Sequence, residues 1–221
     1  LKLEAVKLGF AHPFTVLDED DQRRLFKRVL KELDIDPKLI DVRQVQWQIS
    51  KWKNQLAKFD EVFPTDELED AAKRAWKVHQ RLCQEECVVD FDDLLTMPVK
   101  LFESDPESRA KYQGRFPYVL IDEYQDTNAA QYRLVQLLGS HGNICATGDP
   151  DQAIYGWRGA DIGNILRFEQ DFPGCRTVLL EQNYRSSKII LRAAQGVVEN
   201  NTQRKNKTIR TDNAEGRPIQ M

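Results

Sequence analysis

At 221 residues with 41% hydrophobic content and a formal net charge of −3, the chain can bury one substantial core or two modest ones. It stands too near charge balance to announce a nucleic-acid binder by charge alone. No run reaches the ~18 apolar residues of a membrane span, and the opening LKLEAVKLGF lacks the charged-then-apolar order of a signal peptide.

The chain opens on Leu1 rather than methionine and reads as a piece of a longer one. Asp18 to Leu33 starts with acids suited to capping and sets Leu25, Phe26, Val29, Leu30 and Leu33 at helical spacing. Val45, Ile49, Trp52 and Leu56 repeat that spacing. Thr65 then caps a third pattern, Leu68–Ala72–Ala75–Leu82, running to about Cys87. On this pattern His79, Cys83 and Cys87 share one helical face, either as a packed stripe or as part of a metal site. The stripe is favoured, because a closed zinc site wants four convergent ligands. Together with Cys145 and Cys175 these cysteines show no framework spacing, which points to reduced thiols in a cytosol-like, cytoplasmic compartment.

After about residue 115 the pattern changes. The spacing predicts strands at 118–122, 143–149 and 176–182, alternating with helices at 129–138, 162–172 and 187–201, the last capped by Ser186 or Ser187. Strand–helix alternation means a parallel sheet covered on both faces, in which ligands collect at the carboxyl ends of the strands. Charge is uneven along this half. Residues 116–182 hold four Lys and Arg against nine Asp and Glu, whereas residues 183–221 hold eight against three. Arg204, Lys205, Lys207 and Arg210 are suited either to phosphates or to a solvated surface.

Each predicted strand ends in polar residues. Asp122 and Glu123 suit a magnesium ion and an attacking water, although such acids also cap helices, as Asp126-Thr127 would for the helix that follows. GDPDQAIYGWRGA (148–160) sets Gln152, Tyr155, Trp157 and Arg158 in one Gly-rich loop, suited to stacking on unpaired bases or, alternatively, to anchoring the loop from beneath. Tyr184 and Arg185 bring a flat ring and a planar cation to the third strand end.

LIDEYQDTN, GDPDQAIYGWRGADI and LEQNYRSS, in this order, resemble motifs II, III and IV of the superfamily 1 DNA helicases of the UvrD/Rep/PcrA type. The upstream helical text and VDFDDLL resemble that family's accessory subdomain and its return into the first motor domain. The resemblance implies an α/β fold, a partial RecA-like P-loop parallel sheet with an inserted, mainly helical accessory subdomain. Residues 1–115 would be that subdomain and the return, 116–182 the C-terminal part of the first motor domain, and 183–221 the start of the second.

The resemblance further implies that Asp122 holds the magnesium of ATP, Glu123 is the catalytic base and Gln152 senses the γ-phosphate. Tyr155, Trp157 and Arg158 would contact single-stranded DNA, with Arg158 helping to link that contact to the nucleotide site, Tyr184 would stack on adenine, and Arg185 would be an arginine finger. Gln125 and Asp126 would couple hydrolysis to movement. The motor would step 3′ to 5′ on single strands and unwind forked DNA, alongside DNA-repair proteins. No Gly-Lys pair occurs in the 221 residues, so the phosphate-cradling loop is absent from this sequence. The expectation is a piece inactive by itself, with an uncovered sheet edge that promotes self-association. The competing readings are a helicase subunit of the RecB/AddA type, a single-strand-binding module and a docking module. The last two have no need of an Asp-Glu strand end.

Overall fold

The computed structural model describes residues 1–201 and 207–220. In chain order, β1 (Thr15–Val16), α1 (Glu19–Glu32), α2 (Val42–Asn54), α3 (Glu67–Glu85), β2 (Val88–Val89), α4 (Asp93–Ser104) and α5 (Pro106–Arg115) precede β3 (Val119–Ile121). Then come α6 (Ala129–Leu138), β4 (Ile144–Ala146), α7 (Gly163–Leu166), α8 (Phe168–Asp171) and α9 (Lys188–Val198). The result is a mixed α/β arrangement with two small parallel sheets, β1–β2 and β3–β4.

The helices of the first half start where carboxylates can satisfy their free amides. Asp18 accepts from the Asp21 N–H at 2.8 Å, and Asp41 accepts from the Arg43 N–H at 2.6 Å. α3 departs from expectation by one residue. Asp66, not Thr65, is its cap, accepting from the Glu69 N–H at 2.7 Å. The Thr65 hydroxyl is instead engaged by the Glu69 carboxylate at 2.9 Å, which holds Thr65 outside the helix.

Periodicity becomes packing in the three-helix layer. Phe26, Val29 and Leu30 of α1 meet Val45, Ile49 and Trp52 of α2 and Ala72, Ala75 and Trp76 of α3, all buried. Trp52 and Trp76 stack with centroids 5.8 Å apart, and Phe26 lies almost parallel to His79 at 4.5 Å. Burying one such side chain contributes about 2 kcal/mol. Leu56 leaves the stripe: α2 ends at Asn54 and Leu56 adopts a left-handed φ of 55°, turning the chain. Cys87 likewise lies beyond α3, at φ 50°, and joins a second cluster with Phe10, Phe14 and Val89 beneath β1–β2. His79 and Cys83 therefore face one core and Cys87 another, and among the described residues no group of three or more His, Cys, Asp and Glu could hold a metal. Burial pushes the Cys83 thiol up to about 12 and the His79 imidazole down to about 4.

α4 packs on α6 through a third cluster, Val99, Leu101, Phe102 and Leu137. This contact joins the helical half to the β3–β4 sheet. That sheet pairs Val119 with Ile144, Leu120 with Cys145 and Ile121 with Ala146. Its middle residues point away from the core, and Leu120 is 77% exposed.

Two expected elements take a different form. Residues 162–172 are not one helix but α7 and α8, broken at Arg167, so that Phe168 turns onto Tyr124 with centroids 5.3 Å apart. The third strand, at 176–182, does not form. A strand needs a neighbour to complete its ladder, and here only Gln182 finds one, a single parallel bridge to Arg210. Residues 175–180 instead line a groove of about 390 Å³ with residues 146–152.

Candidate nucleotide and nucleic-acid site

β3 and β4 run parallel, so their carboxyl ends open on the same side and carry their polar residues together. Asp122 leaves β3 exposed. Its Oδ1 accepts from the Thr147 hydroxyl at 2.7 Å and from the Glu123 N–H at 3.0 Å. Its Oδ2 makes no hydrogen bond or ion pair among the described residues, so one oxygen is held and the other is available. A magnesium ion is usually held by one or two carboxylates plus substrate phosphates, and this donor set fits it.

Glu123 follows with φ 50° and ψ 45°, the left-handed region that a residue bearing a Cβ enters at a cost of about 1–2 kcal/mol. Three hydrogen bonds hold the turn there. The Tyr124 N–H donates to the Thr147 carbonyl at 2.9 Å, and the Asp126 N–H donates to the Glu123 carbonyl at 2.9 Å. Gln125 Nε2 donates to Glu123 Oε2 at 2.7 Å. The buried Gln125 then reaches across, its Oε1 accepting from the Asp149 N–H at 3.0 Å. Gly148 is required at this crossing, because a Cβ there would lie 2.6 Å from Gln125 Oε1 and 2.8 Å from Ile165 Cδ1.

Gln152 sits in the turn beyond β4, donating to Asp149 Oδ2 at 2.9 Å. Asp149 is partly buried, which opposes its charge, yet the hydrogen bonds from Lys207 and Gln152 hold its carboxyl below the ordinary value. Lys207 pairs with Asp149 and with Asp151, the latter at 3.3 Å, so it faces carboxylates rather than an open surface. Arg210 uses its backbone to pair with residues 181–183. Arg204 and Lys205 lie outside the described residues.

Tyr155, Trp157 and Arg158 form one exposed cluster. The guanidinium stands 4.7 Å from the Trp157 ring and 5.7 Å from the Tyr155 ring, and the two rings are 6.5 Å apart. Trp157 is 68% exposed, which excludes its anchoring the loop from beneath. Loop-closing bonds, Arg158 N–H and Ala160 N–H to the Tyr155 carbonyl, and a left-handed Gly159 present the cluster outward.

Tyr184 and Arg185 are not brought to these strand ends. With no third strand to carry them, they sit on a turn in which Asn183 Oδ1 accepts from the Arg185 and Ser186 N–H groups. Tyr184 is 83% exposed. Ser187 precedes α9 without a side-chain cap, and α6 is capped not by Asp126-Thr127 but by Asn128, in a reciprocal pair with Gln131. Thr147, which bonds Asp122, and Asn164, which lies behind the site on the Thr127 carbonyl, were not legible in the sequence. Thr147 gave only its place at a strand exit, and Asn164 only the oddity of a poor helix former in an apolar run.

A family model described as the UvrD/REP helicase N-terminal domain matches residues 1–173. The chain belongs to the UvrD/REP helicase family. It is similar to a protein named ATP-dependent DNA helicase PcrA from Staphylococcus epidermidis, 44% identical over 228 residues that cover 100% of this chain and 31% of that protein. A protein of the same name from Staphylococcus aureus is 45% identical over 227 residues, covering 99% of this chain and 30% of that protein. The chain thus spans about a third of the length of the curated relatives it matches. No helix among the described residues is long and apolar enough to cross a membrane.

Proposed function

We propose that this chain carries the acidic strand end and the base-stacking loop of an ATP-dependent DNA helicase that steps along single-stranded DNA, 3′ to 5′, and unwinds forked duplex in repair or replication. The observation that carries this reading is the end of the β3–β4 sheet, where Gln125 ties the strained Glu123 to Asp149 of the Gln152 turn and Thr147 holds Asp122 beside them. The names of the Staphylococcus relatives support it.

In this reading Asp122 would hold a magnesium ion, which would supply charge neutralisation for the transferring phosphoryl group. Thr147 keeps one carboxylate oxygen occupied, so Asp122 presents one ligand in one direction. Glu123 is the base toward water, oriented by its Gln125 bond. Gln152 senses the γ-phosphate. Tyr155 and Trp157 stack on bases, Arg158 contacts the strand and helps to link it to the nucleotide site, Tyr184 stacks on adenine, and Arg185 is an arginine finger. The last two reach the nucleotide only when residues 183–221, as the start of a second RecA-like motor domain, close on the first (116–182). Residues 1–115 act as the accessory subdomain and its return.

The phosphate-cradling Gly-Lys pair is not in this sequence, so the 221 residues alone turn over no ATP. The bare face around Leu120 drives self-association of this piece, which light scattering across micromolar concentrations tests. The protein works with DNA-repair partners in a reducing, cytoplasmic compartment.

The deciding experiment measures ATP turnover with and without single-stranded DNA in the full-length protein, beside Glu123→Gln. DNA-stimulated turnover that falls by about 10²–10⁴-fold in the variant is expected. A protein that binds DNA but turns over no ATP would overturn the motor in favour of a binding module.

A further inference from the structure

The loop from Asp149 to Asp161 is fastened at both ends to the turn that follows β3. At its entry, Gln125 bonds both the Asp149 N–H and Glu123, as described above. At its exit, the Asp161 N–H donates to the Thr127 carbonyl at 3.0 Å, and the same carbonyl accepts from Asn164 Nδ2 at 2.9 Å. Asn164 Nδ2 also lies 3.2 Å from Thr127 Oγ1, and Asn164 Oδ1 accepts from Arg167 Nη2 at 2.9 Å. Gln125 and Asn164 are each only 1% exposed, so water cannot stand in for either amide.

The chemistry is more specific than packing requires. Asn is a poor helix former, and burying its amide is unfavourable unless its polar atoms are bonded. An apolar residue would fill the same space without that demand. The amide instead holds a backbone carbonyl in the very segment whose other end carries Glu123. Between the two fastenings lies the exposed Tyr155–Trp157–Arg158 tip. A loop with fixed feet and a free tip passes a displacement of the tip to both feet.

We propose that Asn164 is a positioning residue that locks the exit of the aromatic loop to the Glu123 turn, so that a single-stranded nucleic acid on the tip is felt at the strand-end carboxylates. The inference rests on the motor reading above, in which the aromatic loop communicates with the nucleotide site, and adds to it the residue that fastens the exit of that loop. By linkage the route works in both directions for binding, so a nucleotide at the carboxylates alters affinity at the tip.

The test uses the full-length protein and an oligothymidylate single strand, with ATP turnover measured in its absence and at saturation. The proteins compared are the wild type, Asn164→Ala, Asn164→Ser, Trp157→Ala and the Asn164→Ala/Trp157→Ala pair. Asn164→Ala is expected to keep DNA-free turnover within about twofold while its stimulation ratio falls by about tenfold. Asn164→Ser keeps a donor and falls between the two. The pair is expected to be no worse than Trp157→Ala alone, because both changes act on one loop.

Undiminished stimulation in Asn164→Ala, or additive losses in the pair, overturns the inference and leaves the motor reading standing. Equal losses with and without DNA assign Asn164 a purely structural role and likewise overturn it. If Asn164→Ala does not fold, full wild-type stimulation in Asn164→Ser overturns it. A wild-type protein whose ATP turnover ignores the single strand overturns the motor reading itself and this inference with it.

Discussion

In the helical half, charge is carried into the interior and neutralised there. At the end of β3, the carboxylates of Asp122 and Glu123 stand at the surface with no cationic partner among the described residues. Lys53 on α2 is 5% exposed at its side chain and pairs with Asp90, between β2 and α4, at 2.6 Å and with Asp93, the first residue of α4, at 2.7 Å. Burial opposes its charge, but the two carboxylates outweigh that and hold its ammonium above the ordinary range. Asp122 and Glu123 are exposed and have no cation among the described residues, and the Glu123 backbone is strained. Paired buried charge fixes how α2 meets α4, whereas unpaired exposed carboxylates keep their capacity for a cation from outside. The next residue of α2 joins the two regions: Asn54 donates to Asp92 at 2.8 Å and accepts from Asn128, the cap of α6, at 2.7 Å.

The sharpest way to break this contrast is Lys53→Ala. It strands two carboxylates in the interior, and about 3–5 kcal/mol of stability should be lost in urea unfolding, because an unpaired buried charge is far costlier than the pair was worth. A loss under about 1 kcal/mol would mean that water reaches the pair and that the two regions are alike.

His79 gives the pH signature of the buried region. Its folded value of about 4 lies below the ordinary 6.5, because burial and then the nearby Lys53 disfavour the imidazolium. A depressed folded value means that the contribution is complete above about 6.5 and is lost as pH falls toward 4, amounting to about 3 kcal/mol in total. His79→Leu should flatten that part of the unfolding free energy against pH, and an unchanged slope would assign it to carboxylates instead.

Gly148→Ala probes the polar region. Its Cβ must displace Gln125 or Ile165, at a cost of about 1–3 kcal/mol in thermal unfolding, with the Gln125–Glu123 bond disturbed as well. Trp157→Ala lies at the small end. Its exposed ring should change stability by less than about 0.5 kcal/mol, while fluorescence titration with a single strand should show about 1–3 kcal/mol of binding lost. A large stability loss at Trp157 would show the ring to be an anchor after all.

Legibility followed the same division. The spacings of Leu25, Phe26, Val29 and Leu30 and of Val45, Ile49 and Trp52 disclosed two helices and their buried faces, since one periodicity governs both. Asp122, Glu123, Gln152, Tyr155, Trp157 and Arg158 stood out because an acidic strand end and an aromatic loop are each continuous in the chain. The cap at Asp66 rather than Thr65 escaped because two neighbours offered equivalent acceptors. Residues 176–182 read as a strand from their apolar content, but content does not supply the neighbouring strand that the ladder needs. The short β1–β2 pair went unseen because two residues carry no period.

The order of residues alone determined α1, α2, α3, α6 and α9, the apolar strands β3 and β4 and the polar groups at their ends, because each depends on neighbours within a turn or a pleat. The tertiary structure decided which of those groups meet. Thr147 reaches Asp122, Gln125 spans from Glu123 to Asp149, Lys207 turns to Asp149 and Asp151, and Asn164 holds Thr127. These partners stand from 24 to 58 positions apart, apart from the local Gln125–Glu123 bond. The parallel pairing of β3 with β4, the packing of α7 on the turn after β3 and the return of the chain at Lys207 bring such distant residues within hydrogen-bond reach.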